Sequence, residues 1–134
     1  MDMAFQADPK VAQIAEAYAL DAIDLAANFN VKLDWTDDSI ALVETILGTL
    51  HGSIHEKPPE EVIWGFAKAL GSYVGEVFRK NHGGEWGMIS DGGSSFPGIR
   101  SKGKMFWPWA RAHQRIVGGP ENNVWDYYRI MTSG

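Results

Sequence analysis

The sequence predicts an α+β fold, in which N-terminal helices pack on a small antiparallel sheet and two short C-terminal helices follow. Three observations predict it. The first eighty residues carry apolar side chains at helical spacing. From Glu85 the pattern switches to alternation and turn chemistry. Pro108 and Pro120 then open two further helical runs.

The first helix starts at Asp8-Pro9, since proline suits the first helical position, where its missing N–H would have had no partner. Val11, Ile14, Ala15, Tyr18, Ala22, Leu25, Ala26 and Phe29 form its apolar stripe, with Glu16, Asp21 and Asp24 on the other side. The run "NFNVKLDW" ends it. Thr36 or Asp37 caps a second helix, whose stripe is Ile40, Val43, Leu47 and Leu50 and whose stop is Gly52-Ser53. Pro59, Glu60 and Glu61 begin a third, over about residues 60–81, because proline pre-sets the first turn and acids complement the positive end of the helix dipole.

The third helix presents Val62, Phe66, Ala69, Leu70, Tyr73, Val74 and Val77 on one face. Gly65, Gly71 and Gly75 interrupt it, each at about 1 kcal/mol relative to alanine. Gly71 and Gly75 stand one turn apart, which predicts close approach of another backbone. Beyond the helix, "EWGMIS" alternates with Trp86 and Met88 on one side. "DGGSSFPG" reads as a turn region and "SKGKMFW" as a second short strand, which makes a hairpin with a loose loop.

The 134 residues predict one domain over 1–134. With no cysteine, disulfides, thiol chemistry and cysteine-type zinc or iron–sulfur sites are excluded. The N-terminal stretch has no basic region before an apolar run, and no run reaches the roughly 18 apolar residues of a membrane span, so a cytoplasmic protein without a membrane partner is expected. The net charge of −5 divides unevenly. Residues 1–62 hold twelve acids and three bases, whereas residues 63–134 hold five acids and nine bases. Either the halves face each other and cancel, or the second half presents a basic surface to an anionic partner.

The glycines of "NHGGEWGMISDGGSSFPG" raise the question of a phosphate loop. Such loops run strand, glycines, helix, so that phosphate meets a helix N-terminus. Here the order is helix, Gly83-Gly84, strand, and the spacing fits neither GxGxxG nor GxxxxGK[ST]. Gly83 reads as a helix C-cap and Asp91-Gly92-Gly93 as a turn. His82 is the residue of this stretch suited to acid–base work, and Glu76, His82 and Trp86 mark a candidate polar site of an enzyme. His51 and His55 are four apart, but Gly52-Ser53 between them ends the helix a shared metal would need. No nucleophile, base and orienter assemble, so neither metal nor cofactor is expected and the reading is non-enzymatic.

Arg100–Arg115, "RSKGKMFWPWARAHQR", combines Arg100, Lys102, Lys104, Arg111, His113 and Arg115 with Phe106, Trp107 and Trp109, and contains no acid. As structure, the aromatics anchor a core while the bases stay solvated. As function, Arg100, Lys102, Lys104, Trp107, Trp109, Arg111 and Arg115 form a binding surface for an acidic protein, an anionic small molecule or a nucleic acid. The acidic balance of the whole chain disfavours nucleic acid.

Gly71, Gly75 and Glu76 in a helix, Gly83, Gly84 and Trp86 leading into a strand, and then Phe106, Trp107, Pro108 and Arg115 make a pattern within residues 66–119. It resembles a group of uncharacterised bacterial domains that carry domain-of-unknown-function labels, and the resemblance implies a fold without an activity. In size and acidity the chain also resembles immunity proteins that neutralise bacterial toxins. The reading that follows is a small non-enzymatic protein acting by protein–protein interaction, as an immunity or regulatory protein.

Overall fold

The computed structural model describes residues 3–133. A strand β1 (Ala4–Ala7) precedes helices α1 (Pro9–Ala27), α2 (Ser39–Gly52) and α3 (Glu60–His82). Strands β2 (Glu85–Asp91), β3 (Ser94–Ser101) and β4 (Lys104–Phe106) follow, then helices α4 (Pro108–Gly118) and α5 (Val124–Thr132). The sheet runs in the order β1-β2-β3-β4 with every neighbouring pair antiparallel. The α+β class, the helices ahead of β2–β4 and the two short helices after them are those the sequence predicts; the edge strand β1, ahead of the helices, is not.

The start signal of α1 acts as expected: the Asp8 carboxylate accepts from the Lys10 N–H at 2.9 Å, with Pro9 as the first helical residue. At α2 the expected cap at Thr36 or Asp37 is displaced: Asp38 precedes the first helical residue and makes no side-chain cap bond, while Thr36 Oγ1 accepts from the Ser39 N–H at 3.3 Å in the turn before it. The stripes differ in detail. In α1 the buried line is Val11, Ala15, Ala19, Ala22 and Ala26, and Ile14 is exposed. Small side chains suit this line because α1 lies against α3. On α3, Val62 is exposed, and Ile63, Ala67, Leu70, Tyr73, Val74 and Val77 enter the core.

The sheet is larger than the sequence pattern suggests. The turn between β2 and β3 is only Gly92-Gly93, and "SSFPG" belongs to β3. Lys102-Gly103 is the next turn, which shortens the expected second strand to Lys104–Phe106. Proline disguised β3, yet its position is permitted. Both hairpins close on two-residue turns, at Asp91↔Ser94 and Ser101↔Lys104. Antiparallel alternation then directs the backbone groups of Ser94, Phe96, Gly98 and Arg100 toward β2 and those of Ser95 and Pro97 away from it. β4 reaches only Ile99, so Pro97 breaks no ladder bond. β1 was absent from the sequence reading. It pairs with β2 in the register Ala4↔Ser90 to Ala7↔Gly87, and the Gln6 carbonyl stands where a Gly87 side chain would be.

α3 packs against α1 and α4, and its Gly75, Glu76 and Phe78 meet side chains of the sheet. Phe78 meets Phe106 edge to face at 4.9 Å between centroids. A Cβ at Gly71 would stand 2.7 Å from the Pro108 carbonyl oxygen, so here the expected backbone approach is found, made by the start of α4. At Gly75 the close neighbour is instead the Trp86 ring, with Ile99 beside it. Five of the residues that carry the family resemblance therefore meet in contacting pairs. Gly71 admits Pro108, Gly75 admits Trp86, and the Trp86 indole N–H donates to Glu76 at 2.9 Å.

Candidate functional site: an aromatic groove on helix α3

Glu61, Trp64, Gly65 and Lys68 recur at the i, i+3, i+4, i+7 spacing that puts them on one face of α3. Tyr18 of α1, Trp109 at the start of α4, and Ser95, Phe96 and Pro97 of β3 complete a groove of ≈ 660 Å³. Three successive strand residues line it, so it follows the free edge of β3 rather than either sheet face. Phe96 is 40% exposed.

The walls are braced from behind. Trp109 donates its indole N–H to Ser72 Oγ at 2.7 Å and meets Tyr18 edge to face at 5.9 Å. His113 stacks on Trp64 at 4.0 Å and pairs with Glu60. The Lys68 ammonium lies 5.7 Å from the Trp109 ring centre. Gly65 forms the floor, and no atom beyond its chain neighbours and its own helix backbone lies within 4 Å of the place its Cβ would take. The other two glycines of the expected α3 face are explained by internal packing; Gly65 is not.

The polar site expected from Glu76, His82 and Trp86 divides in two. Glu76 is 2% exposed and accepts from Arg79 Nε at 2.7 Å, Arg79 Nη2 at 3.2 Å and Trp86 Nε1 at 2.9 Å. Burial works to raise its pKa, but the hydrogen bonds from Arg79 and Trp86, with the Arg79 charge, outweigh it and hold the carboxyl below its usual range. A carboxylate held ionised by three donors is a poor general base. His82 turns to Asp37, with Nε2 2.9 Å from Oδ2. Asp37 Oδ1 also accepts from Tyr128 Oη at 2.6 Å and Asn81 Nδ2 at 3.2 Å. These bonds outweigh the effect of burial and lower the Asp37 pKa, whereas burial and the bond to Asp37 raise that of Tyr128. The cluster ties the start of α2 to the end of α3 and to α5.

The basic stretch is likewise dispersed. Arg115 is 6% exposed, and its Nε donates to Glu44 Oε2 at 2.7 Å. Glu44 Oε1 accepts the Val124 N–H at 2.8 Å. Arg100 pairs with Glu85 at 2.9 Å and lies over the Phe5 ring. Arg111 lies over Tyr127, and with Trp107 it lines a separate cleft of ≈ 380 Å³. Lys102 and Lys104 rim a cleft of ≈ 220 Å³ beside His82 of α3 and Thr132 of α5, where two helix C-termini favour cations. His51, considered for metal binding, donates from Nδ1 to the Ile116 carbonyl at 2.7 Å. Of the candidate site residues named from the sequence, only Trp109 lines the aromatic groove. The unassigned signal was Gly65, a helical glycine outside the Gly71/Gly75 pair.

No family model matches the chain, and no curated protein matches it. A crystal structure of a protein from Bacteroides thetaiotaomicron VPI-5482 is similar in fold, with a TM-score of 0.72 and 14% sequence identity. The similarity covers 99% of this chain and 48% of that one, so this chain spans about half of that protein's length. At this identity the likeness shows the fold alone. Among the described residues no helix is long and apolar enough to cross a membrane.

Proposed function

We propose that this chain acts by binding another protein, and that the groove on α3 is where it does so. One observation carries the reading. Gly65 costs helix stability, nothing beyond its chain neighbours and its own helix backbone approaches it, and it forms the floor between Tyr18, Trp64, Phe96 and Trp109. Aromatic side chains set around an open floor supply contact area at low entropic cost, as interface anchors do. Two alternatives lose support. Glu76 is committed to Arg79 and Trp86, which weakens the enzyme reading. Arg115 is buried against Glu44, which weakens the reading of residues 100–115 as one anion-binding surface. An immunity or regulatory protein, which works by occupying a partner, is the specific form of this proposal.

A photo-crosslinking residue placed at Gly65 in the producing cell tests it, with the same residue at Gly52, also open in the structure, as control. A protein adduct is expected at Gly65 and not at Gly52, and excess wild-type chain should compete it away while excess Gly65→Leu should not. Equal labelling at the two positions, or competition by both chains, overturns the proposal.

A further inference from the structure

We infer that the groove takes a proline-rich segment in the polyproline II conformation, with a basic residue at the Glu61 end and an acidic one at the Lys68 end. The inference rests on the reading of the groove as a protein-binding site.

Three modes of segment recognition compete there: an added β-strand, an amphipathic helix and a polyproline II helix. The free edge of β3 argues against the first. Over the groove it offers the backbone of Ser95 and Pro97 only, and Pro97 has no N–H, so an added strand would find a broken ladder. A helix satisfies its own backbone and asks a groove for apolar contact alone. The groove supplies more than that. The indole N–H of Trp109 is taken by Ser72 and that of Trp86 by Glu76, but no group among the described residues takes the Trp64 N–H or the Tyr18 hydroxyl. A polyproline II segment has no internal hydrogen bonds, so its carbonyls are available to such donors, and its proline rings pack on aromatic faces.

The charges agree in spacing. Glu61 and Lys68 have no ion-pair partner among the described residues, and they stand on one face of α3 seven residues apart. Seven residues of α-helix rise about 10 Å. Three residues of polyproline II advance about 9 Å. A base and an acid three residues apart in the segment therefore meet Glu61 and Lys68 together.

Calorimetry and indole fluorescence with synthetic peptides test this. The probes are a decaproline with one arginine and one aspartate three residues apart, the same peptide with both charges replaced by glutamine, and a glycine–serine decapeptide with the first charge pattern. The first peptide should bind, the uncharged one at least several-fold more weakly, and the glycine–serine one at least tenfold more weakly. Gly65→Leu, in which the new side chain enters open space, should fold normally and lose binding at least tenfold. Tyr18→Phe should weaken it about threefold to tenfold, as the loss of one hydrogen bond does. Equal binding of the glycine–serine peptide overturns the inference, as does self-association of the chain that Gly65→Leu abolishes. A Gly65 crosslink to a partner, with no binding of any proline peptide, overturns the polyproline assignment and leaves the protein-binding reading standing.

Discussion

The indole N–H of Trp86 and the carboxylate of Glu76 lie 2.9 Å apart, joining β2 to the middle of α3. The same tryptophan ring occupies the space that Gly75 leaves open. One turn of helix thus supplies both the room for the ring and the acceptor for its N–H.

Glu76→Ala should destabilise the fold by about 1–3 kcal/mol, because it leaves the Trp86 N–H buried without its acceptor. Glu76→Gln, which retains an amide oxygen, should cost less. The depressed Glu76 pKa gives the sign of the pH response. Its contribution is complete above the unfolded carboxyl value of about 4.3, and it is lost as pH falls through the lower folded value. Urea denaturation between neutral and acid pH checks this: the wild type should lose more stability on acidification than Glu76→Gln. Equal losses would remove Glu76 from the acid response.

The α3 glycines should respond in opposite directions. Gly65→Ala meets nothing beyond its own stretch of helix and should raise stability by about 0.5–1 kcal/mol. Gly71→Ala drives a methyl group against the Pro108 backbone, which is not free to swing aside, and should cost about 1–3 kcal/mol. Gly75→Leu collides with Trp86 and should cost at least as much. Thermal melts of the three variants decide the matter, and a raised midpoint for Gly71→Ala would contradict the packing.

Glu44 and Arg115 are a largely buried pair across α2 and α4. Glu44→Ala should cost about 3–5 kcal/mol, since it strands the guanidinium and also removes the acceptor of the Val124 N–H. The double change Glu44→Leu, Arg115→Met should recover part of that loss. If each change costs the same with or without the other, the two groups are not coupled.

Lys102→Glu and Lys104→Glu should each cost no more than about 1 kcal/mol, being exposed and without a carboxylate partner among the described residues, so that only the nearby helix C-termini oppose the reversal. Arg100→Glu should do more, because it sets a like charge beside Glu85 and withdraws the guanidinium from Phe5. Circular dichroism melts in low and in moderate salt separate the two classes. If the basic stretch were one structural unit, all three reversals would have similar effects.

Helices were legible in the sequence because their signals are local. Asp8-Pro9, Thr36, Pro59 and Pro108 act within a turn of themselves, and the apolar period follows. β1 and β3 were not, since their pairing partners lie elsewhere in the chain. Ala4–Ala7 is a strand only because β2 stands beside it, and Pro97 is tolerated only because β4 stops short. The groove was hidden for the same reason. Tyr18, Trp64, Phe96 and Trp109 belong to four separate elements, and the sequence assigned one of them to a helix face, one to a turn and one to a basic patch, and left Trp64 unassigned. Gly65 was visible as an anomaly, but its meaning depended on knowing that nothing covers it.

The uneven division of charge along the chain also reappears as architecture. Glu44 reaches Arg115, Glu60 reaches His113, and Asp37 gathers His82 and Tyr128. α2 rests mainly on α4 and α5, and β1 on a strand more than seventy residues away. During synthesis, therefore, the first fifty residues emerge before the surfaces that will hold them, as an acidic segment whose own repulsion keeps it open. Assembly waits for α3 and completes only with α5. Ribosome-arrested chains ending near residue 100 are expected to remain open to proteases, and protection should arrive abruptly as the last two helices leave the tunnel.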